Sequence, residues 1–255
     1  MSGDASAVPD GMFGPGPARE PHVTVCDRWT QCVNLPDDHP QKAVEFLHRQ
    51  LNEETNVLEN AARNLADFPD ADWDVRLWLA RQCADEARHV LAYERLLHAR
   101  GATFGDYPVM NFQFKLLGRI PTLAGRLAVQ NRTFEADGLD AAVFGASEAR
   151  QRGDEAMAEM LEAQVGDEIG HVRFANRFIK AAVARDARLV MDVARALTLG
   201  AQGFQWVFAG GGSDQTKYDV AESERLQAGF DAAEVEVSAR MSHDRRRRVQ
   251  SSRRT

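Results

Sequence analysis

The sequence predicts an all-α protein built on a four-helix bundle, with a long crossover and additional C-terminal helices. Two observations support this fold class. Four long segments repeat their apolar residues mostly at three- and four-residue steps, which is the period of a helix with one buried face. An aperiodic segment of about twenty residues, 101–120, separates the second of these segments from the third. A connection of that length is uncommon in a compact domain unless it crosses over, as it does in one class of four-helix bundle.

The first helical pair lies before this crossover. Residues 1–39 are rich in Pro, Gly and Asp and are predicted to form an irregular N-terminal leader. A helical pattern follows over about 40–68, and the segment FPDAD then interrupts it. Asp72 is a candidate N-cap for a second helix over about 73–99, which Gly101 is expected to stop.

The second helical pair follows the crossover. A third helix is predicted over about 121–151 and a fourth over about 155–184, with a short turn at 153–154 between them. Two more amphipathic helices are expected at about 186–208 and 218–241. The predicted organisation is therefore an N-terminal leader, a four-helix domain, accessory helices and a basic disordered tail, at residues 1–39, 40–185, 186–241 and 242–255.

Composition and charge narrow the class of protein. The net charge is −7 and the pI is near 5.5, which argues against a nucleic-acid partner because such proteins usually carry a basic face; the terminal RRRRVQSSRRT is the exception. No stretch approaches about eighteen apolar residues, so no membrane span is expected. The N-terminus does not resemble a secretory signal. The three cysteines, an odd and low count, predict unpaired thiols and a cytoplasmic protein: Cys26, Cys32 and Cys83.

Two Glu-x-x-His motifs occupy matching places in the two helical pairs. The second helix contains Glu86 and His89, and the fourth contains Glu168 and His171. Residues three apart lie on one face of a helix, one turn from each other. One such motif alone is more often a surface Glu beside a satisfied His. Two motifs at matched spacing instead indicate a metal site.

Each motif also has a second acidic residue one helix upstream. The first helix offers Glu54 on its apolar stripe, and the third helix offers Glu135. The separation of these two glutamates along the chain matches, to within a single position, the separation between the two Glu-x-x-His motifs. The chain therefore contains two similar helical pairs, each with the Glu and Glu-x-x-His ligand set of carboxylate-bridged di-iron and di-manganese bundles.

The chemistry of these six residues favours two divalent cations. Four carboxylates in a bundle core are very costly without compensating charge, and carboxylate with imidazole suits iron or manganese better than a thiolate-loving metal. Two iron ions are predicted, and the same ligands accept a manganese–iron pair. Asp85 and Asp167 precede the motif glutamates and are predicted to orient the ligand imidazoles by hydrogen bonds.

Several neighbouring residues have more than one interpretation. Glu54 is preferred over Glu53, which is expected to face outward, and over Glu59, which is expected to be solvated. Tyr93 follows His89 by one turn and is either a redox-active or ligand-bonding residue or a core tyrosine. Cys83 either lines the site or is a small buried apolar residue.

With these motifs in view, the sequence resembles the ferritin-like superfamily of di-iron carboxylate proteins. The run at 85–89 looks like the corresponding helix of acyl-carrier-protein desaturases, and the Glu86, His89, Tyr93 spacing is similar to that in ribonucleotide reductase small subunits. A closer likeness is to a bacterial ferritin-like family of uncharacterised function, distantly similar to tRNA hydroxylases. It covers about residues 40–185 and is carried by FPDADW (68–73), DEARH (85–89), GDYPV (105–109), RTFEADGLD (132–140) and DEIGHVRFANRF (167–178).

The resemblance implies a ferritin-like fold and a non-haem di-iron enzyme that uses O2 as co-substrate. The expected reaction is hydroxylation, desaturation or amine N-oxygenation of a small molecule. Because the chain shows no flavin or nicotinamide motif, electrons are expected from an external donor or from the substrate. The alternatives are an iron-storing ferroxidase and a tRNA-modifying hydroxylase, and a homodimer is plausible. One departure from the family pattern is Asn52, where a histidine is expected.

Overall fold

A computed structural model describes residues 11–210 and 218–252, with side chains described as far as residue 243. Its described part is mostly helical, which confirms the all-α prediction; the strands it contains there are two residues long. The chain divides into two units, residues 1–126 with 192–211 and residues 127–191 with 212–255. Unit 1 contains the first predicted helical pair, and unit 2 contains the second except for the start of its first helix, because the boundary follows Arg126.

Unit 1 is built on a helical hairpin of α1, Lys42–Asp67, and α2, Trp73–His98. Both helices begin and end within two residues of the predicted positions. Asp72 precedes α2 as its N-cap residue. Leu47 and Leu51 of α1 and Leu79 and Leu97 of α2 are buried.

The helix α1 is buried on two faces rather than one. Opposite its apolar stripe runs a polar stripe at four-residue steps, and every member of it is buried: His48, Asn52, Asn56, Asn60 and Asn64. Asn52 and Asn56 each donate a side-chain hydrogen bond to the carbonyl oxygen of Met110, at 2.9 and 3.2 Å. The polar stripe therefore holds the crossover segment rather than facing solvent.

The crossover and the leader contain more regular structure than expected. The strand β1, Val25–Cys26, pairs in parallel with β2, Val109–Met110. A 3-10 turn, Trp29–Gln31, follows β1, and a short helix α3, Phe112–Leu117, follows β2. These elements cover the polar stripe of α1.

Within unit 1, side chains also connect the leader to α1. Arg19 forms a bidentate ion pair with Glu59 of α1, at 2.5 and 2.7 Å. Glu59 is therefore paired within the fold, and the expectation that it would be solvated was wrong. The C-terminal part of α7, Leu189–Val207, and the residue that follows it contribute aromatic packing to the same unit. Phe204 and Phe208 pack against Phe112 there.

Unit 2 contains the second helical hairpin. The third predicted helix is continuous but changes its hydrogen-bond register, as α4, Leu123–Val129, a π segment, Gln130–Glu135, and α5, Ala136–Gln151. The partner helix α6 spans Glu155–Arg185. Asp154 caps α6 by accepting a hydrogen bond from the backbone N–H of Met157 at 3.3 Å. The π segment was not predicted.

The C-terminal part of unit 2 differs from the single helix predicted at 218–241. It contains α8, Glu222–Gln227, and α9, Ala232–Ser252. Gly229, with a φ of +84°, lies in the break between them, and this left-handed conformation favours glycine. Helix α9 extends into the segment predicted to be a disordered tail, whose last residues, 253–255, lie outside the described part of the chain. Among the described helices none is both long and apolar enough to span a membrane.

Candidate metal centre

Unit 1 gathers three of the predicted ligands into one buried triad. Glu54 comes from α1, and Glu86 and His89 come from successive turns of α2. The Nδ1 atom of His89 lies 3.1 Å from Oε2 of Glu54 and 3.1 Å from Oε2 of Glu86. Gln82, one turn earlier, donates its side-chain N–H to Oε1 of Glu86 at 3.3 Å.

Unit 2 gathers the other three in the same way. Nδ1 of His171 lies 3.6 Å from Oε2 of Glu168 and 3.9 Å from Oε2 of Glu135. The side-chain N–H groups of Asn131 and Gln164 donate to Glu135 and Glu168, at 3.0 and 3.3 Å. In each triad one potential ligand atom per residue lies within 4.8 Å of the others.

The two glutamines are site residues that the sequence reasoning missed. Gln82 and Gln164 each lie four residues before the motif glutamate to which they donate. Their separation along the chain is therefore the same as that between the two motifs. This repeated separation is a signal in the sequence that could have identified both residues.

Burial determines what the triads can do. All six residues are at most 6% exposed. A buried carboxylate without a compensating charge is very unfavourable, and two carboxylates beside one imidazole supply the mixed oxygen and nitrogen ligands that iron and manganese accept. Each buried group of Glu and His can therefore hold a metal ion. The assignment of all six residues to one shared centre stays a prediction.

The π segment gives Glu135 its position. Glu135 is the last residue of this segment, and π turns inside α-helices are frequent at functional sites. The hydroxyl of Thr133 donates to the carbonyl of Ala128, five residues earlier, at 2.9 Å. Gln130 and Asn131, at the start of the segment, are buried. A candidate ligand and its amide donor therefore lie on the π stretch of this helix.

The residues predicted to assist the ligands are placed as follows. Asp85 is buried and forms ion pairs with Arg88 and, at 3.6 Å, with Arg81. Asp167 is half-buried on α6. Tyr93 is fully buried on α2, one turn after His89. The imidazole-orienting role of the two aspartates and the redox or ligand-bonding role of Tyr93 stay predictions.

The neighbours of Glu54 lie on different faces of α1. Glu53 is half-buried rather than outward-facing, as was wrongly expected. It accepts a hydrogen bond from the side chain of Gln113 at 2.6 Å, and burial raises its pKa to about 7 against the opposing effect of Arg49. Asn52, where the resemblance led us to expect a histidine, donates a hydrogen bond to Met110 of the crossover. Neither residue belongs to the triad.

The cysteines are unpaired, as predicted. Burial raises the pKa of the Cys32 thiol to about 12, and the neighbouring Cys26 raises it further. Cys83, on α2, also has a raised pKa, through burial and the nearby Glu86. Burial also raises the pKa of Cys26, so all three thiols differ from reactive cysteines, whose pKa values are usually lowered.

Comparison with known proteins adds one finding. A family model described as "Protein of unknown function (DUF455)" matches residues 5–236. No curated protein and no solved structure matches the chain.

Proposed function

The chain belongs to the DUF455 family, whose function is unknown, and we propose that it is a non-haem di-iron enzyme that uses O2 to oxidise a small molecule. The observation that carries this proposal is the pair of buried triads, each with two glutamates and one histidine. The expected reaction is hydroxylation, desaturation or N-oxygenation of an amine.

The fold proposed for the site is a ferritin-like four-helix bundle. The hairpin of α1 and α2 would form one half, and the segment from α4 to α5 with α6 would form the other. Matching ligands of the two halves are separated by nearly constant lengths of chain. This regularity supports the pairing, because bundles of this class take a Glu from each of two helices and a Glu-x-x-His motif from each of the other two.

Charge balance supports two metal ions per chain. The two triads together contain four carboxylates and two imidazoles. Two divalent cations offset four negative charges, and the mixture of carboxylate and imidazole favours iron or manganese over a metal that prefers thiolates. When bound, two ferrous ions would supply the electrons for the first reduction of O2. Further electrons would come from an external donor or from the substrate.

The residues of the chain would orient the ligands and keep the site dry. Gln82 and Gln164 fix one oxygen of Glu86 and Glu168 by hydrogen bonds, so that the other oxygen remains directed toward the imidazole of the same triad. Such outer hydrogen bonds commonly determine ligand orientation. The buried phenol of Tyr93 is proposed to stand beside the site as a redox-active or hydrogen-bonding group.

The test is anaerobic titration of the purified protein with Fe(II), followed by O2 and by Mössbauer spectroscopy. We expect uptake of about two iron ions per chain, and after O2 an exchange-coupled pair of ferric ions, because a shared centre has bridging carboxylates. Candidate amines and fatty chains are then added, and the true substrate class accelerates O2 consumption. Uptake of many iron ions per chain would instead indicate storage, and a lack of iron uptake would refute the proposal.

Adjacent residues of α1 provide matched variants for this test. Glu54→Gln removes a carboxylate from the unit 1 triad, whereas Glu53→Gln makes the same chemical change one residue earlier, outside the triad. The first variant is expected to lose about half of the bound iron and the exchange coupling. The second is expected to retain both. Equal iron binding by the two variants would remove Glu54 from the ligand set.

A further inference from the structure

The C-terminal helices of unit 2 pack directly behind its metal triad. One cluster of buried apolar residues joins α5 and α6 to the α8–α9 region. Two of its members follow ligands in the sequence, since Ala136 comes after Glu135 and Val172 comes after His171. Ala228 and Phe230, from the break between α8 and α9, pack in the same cluster. The backbone that carries two ligands is therefore covered by the segment 221–238, which we call the brace.

Arg132 connects the brace to the π segment. It lies three residues before Glu135, and its guanidinium donates to the side-chain oxygen of Asn176 on α6 and, at 2.5 Å, to Glu234 on α9. The same guanidinium lies over the ring of Phe230, 4.7 Å from its centroid. One side chain of the π segment thus reaches both its partner helix and the brace.

A second arginine fixes the brace on α5. Arg225 of α8 is buried and forms a bidentate ion pair with Asp140, with contacts of 2.6 to 3.1 Å. It also donates to Asp137 at 3.0 Å. Two backbone carbonyls of the brace add contacts with α6, because Ala228 accepts from Asn176 at 2.9 Å and Gln227 accepts from Arg173 at 2.7 Å. The brace is therefore held at several points along the hairpin.

From these contacts we propose that the brace holds the π segment in register for metal binding, with Arg132 as the residue that positions Glu135. The inference rests on the proposed metal centre. A π turn inserts one extra residue into a helical turn, and the alternative α register would rotate every residue on one side of it by about 100°. A contact outside the helix stabilises the π register if it can form only in that register. We infer that the contacts of Arg132 with Asn176 and Glu234 act in this way.

The experiment is a titration of the metal-free full-length chain with Mn(II), followed by EPR, which distinguishes bound from free ion without any requirement for turnover. The wild type is compared with Arg132→Ala, the conservative Arg132→Lys, Glu234→Gln and the control Glu236→Gln. Glu236 lies on the exposed side of the same helix. The loss of outer contacts typically weakens metal affinity by about 10- to 100-fold.

We expect Arg132→Ala and Glu234→Gln to weaken one of the two Mn(II) sites by about 10-fold or more. Arg132→Lys should recover part of this loss, and Glu236→Gln should bind Mn(II) as the wild type does. The remaining site shows that the variants are folded. Wild-type affinity in both Arg132→Ala and Glu234→Gln would overturn the positioning role of the brace. Absence of Mn(II) and Fe(II) binding by the wild type would instead overturn the metal centre itself.

Discussion

The ionisation of His48 provides a quantitative test of how α1 is covered. The imidazole is almost fully buried, and its Nε2 accepts hydrogen bonds from the backbone N–H groups of Gly105 and Tyr107, at 2.8 and 3.4 Å. The ring of Phe104 stacks on it at 5.3 Å. Burial lowers the pKa of His48 from 6.5 to about 4, against the opposing effect of Asp106.

The sign and size of the effect follow from this difference. The unfolded chain binds a proton at His48 below about pH 6.5, whereas the folded chain does so only below about pH 4. Folding therefore loses stability as the pH falls through this window. The full difference corresponds to about 3 kcal/mol, at about 1.36 kcal/mol for each tenfold change in proton affinity, and about 2 kcal/mol of it is lost between pH 7 and pH 5.

The assay is urea denaturation of the metal-free protein at several pH values, with His48→Gln compared to the wild type. Glutamine keeps an acceptor for the N–H of Gly105 but does not titrate, so the variant is expected to lose about 2 kcal/mol less than the wild type between pH 7 and pH 5. His98→Gln, at the exposed C-terminal end of α2, controls for the loss of one histidine. Equal pH dependence in His48→Gln and the wild type would refute the buried neutral state of this imidazole.

Three further predictions concern carboxyl groups that are buried or half-buried. Glu54→Gln is expected to stabilise the metal-free protein, by roughly 1–3 kcal/mol in calorimetry, because it removes one of the crowded buried carboxyl groups that have no cation there; a lower thermal midpoint would contradict this. Arg225→Met should cost about 3–5 kcal/mol in urea denaturation by leaving the buried Asp140 carboxylate without its arginine. Asp140→Leu in the same chain should restore most of this loss, and no recovery would count against the ion pair. Burial alone would raise the pKa of Glu234, but the backbone N–H of Asp231 and the Arg132 guanidinium lower it. The ionised Glu234 carboxylate therefore stabilises the fold fully above about pH 4.5, its ordinary pKa. This stabilisation is lost as the pH falls through the lower pKa that Glu234 has in the folded protein. In that pH range the proteolysis of α9 should accelerate in the wild type but not in Glu234→Gln.

The long helices could be predicted because their signals are local. Apolar residues at helical spacing and the breaker segments at 68–72 and 153–154 bracket α1, α2 and α6 to within two residues. The six candidate ligands were found because one pattern of Glu and Glu-x-x-His occurs twice along the chain at closely matched spacing. Local periodicity and internal repetition can both be recognised in one sequence without knowledge of tertiary packing.

Packing of the leader and the crossover against α1 explains why the burial of its polar residues was not predicted. A stripe of His and Asn residues has the polarity of a solvent-facing surface, yet Asn52 and Asn56 are buried against the crossover. Glu53 was expected outside because it lies about 100° around the helix from the apolar stripe. Long-range contacts bring the leader and the crossover over this face, among them the pairing of Val25 with Val109 and the bonds of α1 to Met110. Nothing in the local pattern of α1 indicates them.

The π segment was missed for a different reason. A π turn changes the hydrogen-bond register over Gln130–Glu135 while the flanking helices keep their ordinary periodicity, so the apolar pattern alone does not reveal it. The break between α8 and α9, by contrast, carried a signal. Gly229 followed by Asp231, whose carboxylate accepts from the N–H of Glu234 at 2.9 Å, is a helix stop and a new N-cap.

The amide donors show why the triads are better understood as binding sites than as internal ion pairs. Gln82 and Gln164 approach Glu86 and Glu168 at the same position in each repeat. A neutral amide adds a hydrogen bond and fixes the orientation of a carboxylate, but it does not cancel the negative charge. Two buried carboxylates held in this way beside one imidazole remain unfavourable unless a cation compensates their negative charge. The chain repeats this arrangement in both halves, and each buried group of Glu and His could hold a metal ion.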